Sequence, residues 1–252
     1  MTSTDADAPE PSSPAALAEV LDGVRCVMFD FDGPLCPLYE ERPSDGLART
    51  FHRILDDAGL RSPQLSGLSD PYGMLRSLPH SFPGRMFEGD RLLRSVASVF
   101  GEHLTLEELE RVGRADPTEG AVECVKALYE RGFTLAIATN NAPESVQTYL
   151  KSHGIDRMFA GRIFGRGWDP RRMKPHPDTV ERALTAVAPD GITRDQCVLL
   201  GDTPGDLAAA RGAGVRFIGY CRSAAKARRL TAAGTRYWVA SLDRLSEAFG
   251  DA

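Results

Sequence analysis

The chain has 252 residues, 42% hydrophobic and 26% charged, with a formal net charge of -5. That length suits one large domain, or a core with a smaller insert, and the composition is sufficient to bury a core. The acidic balance excludes the basic surplus that serves nucleic-acid binding. No apolar run approaches the roughly 20 residues of a membrane-spanning helix, and the N-terminus lacks the basic-then-apolar pattern of a secretory signal.

Residues 1–14, MTSTDADAPEPSSP, are rich in Pro, Ser and acid with almost nothing to bury, so a disordered tail is predicted over 1–18. VRCVMF at 24–29 is a short apolar run that ends in Asp30, with Gly33 soon after, which predicts a buried strand running into a loop. From about 35 to 116 the pattern becomes helical. Leu47, Phe51, Ile54 and Leu55 share one helical face, as do Leu92, Val96, Val99 and Phe100. Between them, 61–90 is interrupted by Pro63, Pro71, Pro79, Pro83 and several glycines, and irregular connections are expected.

Alternation then begins. AVECVKALYERG at 121–132 predicts an amphipathic helix closed by Gly132. FTLAIAT at 133–139 predicts a buried strand, ESVQTYLKSHG a helix ending at Gly154, FAGRIFG a short strand, and TVERALTAV at 179–187 a helix. CVLLGD at 197–202, VRFIGY at 215–220 and RYWVAS at 236–241 complete the strands. Strands alternating with helices predict an α/β fold: a Rossmann-like parallel sheet with helices on both faces, and a mainly helical segment inserted after the first strand. The expected division is a core at 19–34 and 117–252, and an insert at 35–116.

Such sheets bind ligands beyond the carboxyl ends of their strands, so polar groups that end apolar strands are the candidates. They are Asp30 with Asp32, Thr139 with Asn140, and Asp202 with Asp206; Lys174 joins them from the loop MKPHPD. Four carboxylates in one crevice are costly unless a cation neutralises them. Oxygen ligands with few nitrogen or sulfur donors suit Mg²⁺, which shares its shell with water and substrate phosphate. Lys174 adds a positive charge, and Thr139, with the backbone N–H groups of a strand-to-helix turn, suits phosphate oxygens. These parts match the needs of phosphoryl transfer.

The stretch DFDG at 30–33, Thr139 in AIATNN, Lys174 in MKPHPD and GDTPGD at 201–206 occur in that order. Together they resemble the haloacid dehalogenase (HAD) superfamily, phosphatase type with an inserted helical cap, similar to phosphoglycolate phosphatases. The resemblance covers roughly 24–33 and 117–246. It implies that Asp30 attacks phosphorus to form an aspartyl-phosphate, while Asp32 protonates the leaving alcohol and later activates water. It implies Mg²⁺ on the Asp30 carboxylate, the Asp32 carbonyl and Asp202, with Asp206 orienting the metal's waters or ligating directly. Gly33, Thr139, Asn140 and Lys174 would hold the phosphoryl group of a small phosphorylated metabolite, under a cap formed by 35–116. An acid at Asp32 points to phosphate esters rather than to dehalogenation or phosphonate hydrolysis. A sugar phosphomutase keeps that Asp and is the nearest enzymatic alternative. A receiver-like signalling module, or a protein that binds phosphometabolites without turnover, is the alternative of another class. The chain departs from many members in having Pro34 after DFDG, which removes a backbone donor and stiffens the exit.

Other residues carry weaker signals. His80, Arg76 and Arg85 lie in the irregular part of the insert, where substrate-reading groups could sit. Trp168, with Arg166, Arg171 and Arg172, precedes Lys174 and could line an entrance. Arg222, Lys226, Arg228 and Arg229 read as an exposed helix face. The five cysteines (Cys26, Cys36, Cys124, Cys197, Cys221) are odd in number, with no C-x-x-C pair, against a disulfide framework or zinc site. Cys26 and Cys197 read as small buried hydrophobes, and nothing near Cys36 in sequence would lower its pKa. A cytoplasmic protein is expected, with neither nucleic acid nor membrane as partner.

Overall fold

A computed structural model describes residues 9–39 and 45–249. Its centre is a six-stranded parallel sheet in the order β3-β2-β1-β4-β5-β6. The strands are β1 (Cys26–Phe29), β2 (Thr134–Ala138), β3 (Ile163–Phe164), β4 (Cys197–Gly201), β5 (Arg216–Tyr220) and β6 (Trp238–Val239). Phe29 aligns with Ile137 of β2 on one side and Leu200 of β4 on the other. The chain therefore leaves three adjacent strands at one edge, carrying Asp30, Thr139 and Asp202.

The strand side chains alternate between faces, as the pleat requires. Val27, Phe29, Leu135, Ile137, Val198 and Leu200 pack on one side with α1 (Pro14–Leu21), α6 (Ala121–Glu130), α7 (Pro143–Ser152), α8 (Asp156–Phe159) and α12 (Leu242–Ala248). Cys26, Met28, Ala136, Ala138, Cys197 and Leu199 pack on the other with α9 (Asp178–Val187), α10 (Pro204–Ala213) and α11 (Ala224–Ala232). Both faces are covered, which explains the near-continuous apolar strands. Among the described residues, no helix is long and apolar enough to cross a membrane.

Between β1 and α6 the chain forms α2 (Asp45–Asp57), α3 (Pro63–Ser66), α4 (Pro71–Ser77) and α5 (Arg91–Val112). These helices have their own apolar cluster, including Leu47, Phe51, Leu55, Met74, Val96, Phe100 and Leu104. The stretch at 61–90 is more ordered than its prolines suggest. Pro63 and Pro71 occupy first-turn positions, where the missing N–H costs nothing, and the Asp70 side chain accepts from Tyr72 and Gly73 N–H groups. The buried face of α5 is also turned by one residue from the expected one. Leu93 and Ala97 are buried beside Val96 and Phe100, while Leu92 and Val99 are each 39% exposed. The insert returns to its point of departure. Thr118 donates its backbone N–H to the Leu35 carbonyl at 3.0 Å and its hydroxyl to the Gly33 carbonyl at 2.6 Å.

The disordered tail expected over 1–18 is corrected for residues 9–18; residues 1–8 lie outside the described part. Ser13 caps α1 through a bond from Ala16 N–H, Pro14 opens it, and Leu17, Val20 and Leu21 are buried. Ser12 also exchanges two hydrogen bonds with Trp238 of β6, each 2.9 Å. The polar stretch is a helix start whose apolar residues fall at the helical spacing, and it docks on elements from the far end of the chain.

Candidate active site

A cavity of about 780 Å³ opens at the carboxyl edge of the sheet, lined among others by Asp30, Asp32, Thr139, Asn140, Lys174, Asp202 and Asp206. All six strand-end residues and the loop lysine are thus brought together. Asp30 follows β1 directly and its N–H donates to the Leu200 carbonyl at 2.8 Å, so strand pairing sets its position. Lys174 Nζ donates to Asp30 Oδ1 at 2.8 Å, Asp206 Oδ1 at 2.5 Å and the Ala138 carbonyl at 2.9 Å. Three acceptors use its three donors, so the ammonium is held as a buried point charge beside the first aspartate. Its backbone follows suit: Asn140 accepts from Lys174 N–H at 2.7 Å and donates to the Lys174 carbonyl at 3.1 Å. The Asn140 amide is therefore a clamp on the lysine loop, which enters Pro175 through a cis peptide.

The carboxylates divide by what already holds them. Asp206 is 1% exposed, and its second oxygen accepts from Thr203 N–H at 2.9 Å and Thr203 Oγ1 at 2.6 Å. Asp32 Oδ1 accepts from Leu38 N–H at 2.8 Å. Asp202 Oδ2 accepts from Lys226 Nζ at 2.5 Å, whereas its Oδ1 is buried with no hydrogen-bond partner among the described residues. Oxygens of Asp30, Asp202 and Asp206 lie within 4.8 Å of one another. An orphaned buried carboxylate oxygen in an all-oxygen cluster fits a hard divalent cation. Asp206, with both oxygens engaged, fits the outer shell better.

Burial and mutual repulsion act on the same groups. Burial, then the Asp206 charge, pushes Asp30 up to about 6 against the opposing pull of Lys174. Burial, then Asp202 and Asp30, pushes Asp32 up to about 8. Asp202 rises to about 7, mainly through burial, although Lys226 opposes the rise. Burial alone would lower Lys174, but Asp206 and Asp30 outweigh it and hold the ammonium above the ordinary lysine range.

Several expectations change. Gly33 does not offer its N–H to the cavity, since that group donates to the Cys36 carbonyl at 2.8 Å. Lys226 and Arg229, expected on an exposed face, line the cavity, because α11 begins just beyond the carboxyl end of β5. Arg76 also lines it and donates to the Lys174 carbonyl at 3.2 Å. His80 is exposed, and Arg85 pairs with Asp90. Trp168 is 72% exposed, Arg171 pairs with Asp169 and Glu88, and Arg172 with Asp178. Arg166 is instead buried against Glu108 at 2.5 Å. Cys36 is fully buried, and burial followed by the Asp32 charge pushes its thiol well up. Tyr72, Glu108, Asn141 and Thr203 escaped the sequence reading. Glu108 had a signal: it lies four residues after Leu104 and four before Val112, on the apolar face of a helix.

The sequence matches the family described as haloacid dehalogenase-like hydrolase over residues 88–220. It is 34% identical to the pyrophosphatase PpaX of Halalkalibacterium halodurans over 78% of this chain and 84% of that one. It is 32% identical to a phosphoglycolate phosphatase of Mannheimia succiniciproducens over 45% of this chain and 47% of that one, about half of that relative's length. A solved structure described as a predicted phosphatase from Clostridium acetobutylicum shares the fold, with a TM-score of 0.62 at 19% identity, covering 91% of this chain and 99% of that one. With its four motifs at one sheet edge and this likeness along most of its length, the chain belongs to the haloacid dehalogenase-like hydrolases.

Proposed function

We propose that this protein is a Mg²⁺-dependent phosphatase that hydrolyses a small phosphate monoester through an aspartyl-phosphate on Asp30. The observation that carries the reading is the pairing of Asp30 with the buried Lys174 at 2.8 Å, beside Asp32 and the Asp202 oxygen that has no hydrogen-bond partner among the described residues. A carboxylate oxygen of Asp30 attacks phosphorus and the bond to the leaving oxygen breaks. Asp32, whose raised pKa keeps it protonated near neutrality, gives its proton to that oxygen. Water then attacks the aspartyl-phosphate, and Asp32 takes its proton, which restores both carboxyl groups. Thr139, whose hydroxyl donates to Asn141 Oδ1 at 2.8 Å, turns that proton to a phosphoryl oxygen when the substrate binds, and Lys174 acts on the phosphoryl group through its fixed charge. Asp30, Asp202 and the Asp32 carbonyl would hold Mg²⁺, with Asp206 behind them. When bound, the ion supplies positive charge that offsets the carboxylates and the phosphate.

In this reading residues 35–116 are a cap that shields the site from water, over a core of 19–34 and 117–252. Arg76, Lys226 and Arg229 add cationic groups around the cavity, which favours a substrate with a second anionic group near its phosphate. The five buried free thiols suit a cytoplasmic, reducing setting. Asp30→Asn is expected to reduce Mg²⁺-dependent hydrolysis of p-nitrophenyl phosphate by roughly a thousandfold or more, as for loss of a nucleophile; undiminished turnover would remove Asp30 from the chemistry. A panel of phosphometabolites that includes pyrophosphate and phosphoglycolate would identify the substrate through phosphate release.

A further inference from the structure

Insert and core meet at a buried carboxylate that the chemistry above does not use. Glu108 on α5 is 0% exposed. Its Oε1 accepts from the Tyr72 hydroxyl at 2.7 Å and from Arg166 at 2.5 Å. Its Oε2 accepts from Ala142 N–H at 2.9 Å and the Ser145 hydroxyl at 3.0 Å. Ala142 and Ser145 stand at the start of α7, where the helix dipole favours a negative charge. Arg166 balances that charge and donates at 3.2 Å to the Asn140 carbonyl, in the turn that follows β2.

The donors and acceptors in this network have a fixed polarity. A carboxylate paired with an arginine only accepts, so Tyr72 gives its proton to Glu108 and offers a lone pair in return. The Asn141 Nδ2 group donates to that lone pair at 2.7 Å. The Asn141 Oδ1 atom must then face Thr139, and it accepts from the Thr139 hydroxyl at 2.8 Å. Asn141 N–H donates to the same Thr139 oxygen at 3.2 Å. One continuous line of hydrogen bonds therefore runs from the insert to Thr139, whose side chain faces the cavity. Asn141, Thr139 and Glu108 are all nearly or fully buried, so water cannot replace a lost member cheaply.

We infer that Glu108 and Tyr72 are positioning residues for phosphate binding: through Asn141, whose N–H keeps hold of the Thr139 oxygen when the hydroxyl proton turns from Asn141 Oδ1 to a phosphoryl oxygen, they fix the place of the Thr139 side chain, so the insert sets the geometry of a core ligand. The inference rests on the reading of Thr139 as a phosphate contact. The test uses the full chain loaded with Mg²⁺, with inorganic phosphate as the probe, and follows phosphate affinity by calorimetry alongside Mg²⁺ affinity and Tm. Tyr72→Phe keeps the ring and the Glu108–Arg166 pair but removes the linking hydroxyl. It is expected to weaken phosphate about tenfold, the worth of one buried hydrogen bond, and to raise KM more than it lowers kcat. Its Mg²⁺ affinity should stay within about twofold of the parent, since the Tyr72 hydroxyl, although Tyr72 lines the cavity, bonds Glu108 and Asn141 rather than Asp30, Asp202 or Asp206. Glu108→Gln, at a position that does not line the cavity, should shift phosphate affinity in the same direction, and Thr139→Ala is the reference. If Thr139→Ala leaves phosphate affinity unchanged, the reading of Thr139 fails and this inference falls with it. If Thr139→Ala weakens phosphate while Tyr72→Phe only lowers Tm, the network is structural and the inference alone is overturned. A loss confined to Tyr72→Phe, absent in a folded Glu108→Gln, would mean that Tyr72 touches the ligand itself and would remove Glu108 from the role.

Discussion

A β-carbon at residue 33 would stand 2.4 Å from Asp202 Oδ2, and the backbone there has a φ of +106°. Glycine is required twice over, for the turn and for the approach of the second acidic loop to the first. Gly33→Ala is expected to destabilise the fold by about 1–3 kcal/mol and to displace Asp202; a Mg²⁺ titration should show affinity reduced by at least about tenfold. Asp32 leads to a prediction of its own. Only the protonated carboxyl can donate to a leaving group, and its pKa is pushed up to about 8. The rate with an alkyl phosphate should therefore fall as pH rises through the neutral-to-basic range. The fall should be shallower with p-nitrophenyl phosphate, whose leaving group needs little protonation. Equal basic limbs for the two substrates would remove Asp32 as the acid.

Helix α1 carries the largest difference between sequence expectation and structure. Leu17 is 2% exposed and packs with Val20 and Leu21 in the core layer that contains Phe29 and Leu245. Leu17→Ala should cost about 2–4 kcal/mol and lower Tm by roughly 5–10 °C in a thermal melt. No change would mean that the helix is dispensable. The core strands were legible in sequence because each is a short apolar run ending in a polar residue, and Asp30, Thr139 and Asp202 inherit their places from strand register. Lys174 was legible through its loop. What stayed hidden depends on contacts between distant segments. Lys226 looks like one cation in a basic helix until α11 is laid beside the end of β4. The turn of the α5 face by one residue depends on which side meets α2 and α4, a tertiary choice that periodicity alone leaves open. Gly33 was read as a phosphate donor, but its N–H closes the turn to Cys36.

The whole molecule concentrates negative charge at one sheet edge, and that has a linkage consequence. Asp30, Asp32 and Asp202 rise from an ordinary value of 3.8 to about 6, 8 and 7. Between pH 4 and 8 the native state therefore binds more protons than the unfolded chain, and stability falls as pH rises through that window. Lys174, held above its ordinary range, contributes stability that is fully present across the same window and is lost only at higher pH. In EDTA, Tm is expected to fall from pH 5 to pH 8. Added Mg²⁺ should raise Tm by more at pH 8 than at pH 5, because binding competes with protons for the same oxygens. A Tm that is flat with pH and indifferent to Mg²⁺ would contradict the charge balance described above.

The two bonds from Thr118 to Gly33 and Leu35 close a neck through which the helical insert both leaves and re-enters the core. Once the neck is closed, the sheet's connectivity is independent of how much chain hangs beyond it, and a longer loop adds only a slowly growing closure entropy. The length of the insert is thereby separable from the sheet's pairing, with Tyr72 and Glu108 the fixed points through which the insert still reaches Thr139. Away from Tyr72 and Glu108 the insert can be lengthened or shortened while β1, β2 and β4 keep Asp30, Thr139 and Asp202 in register.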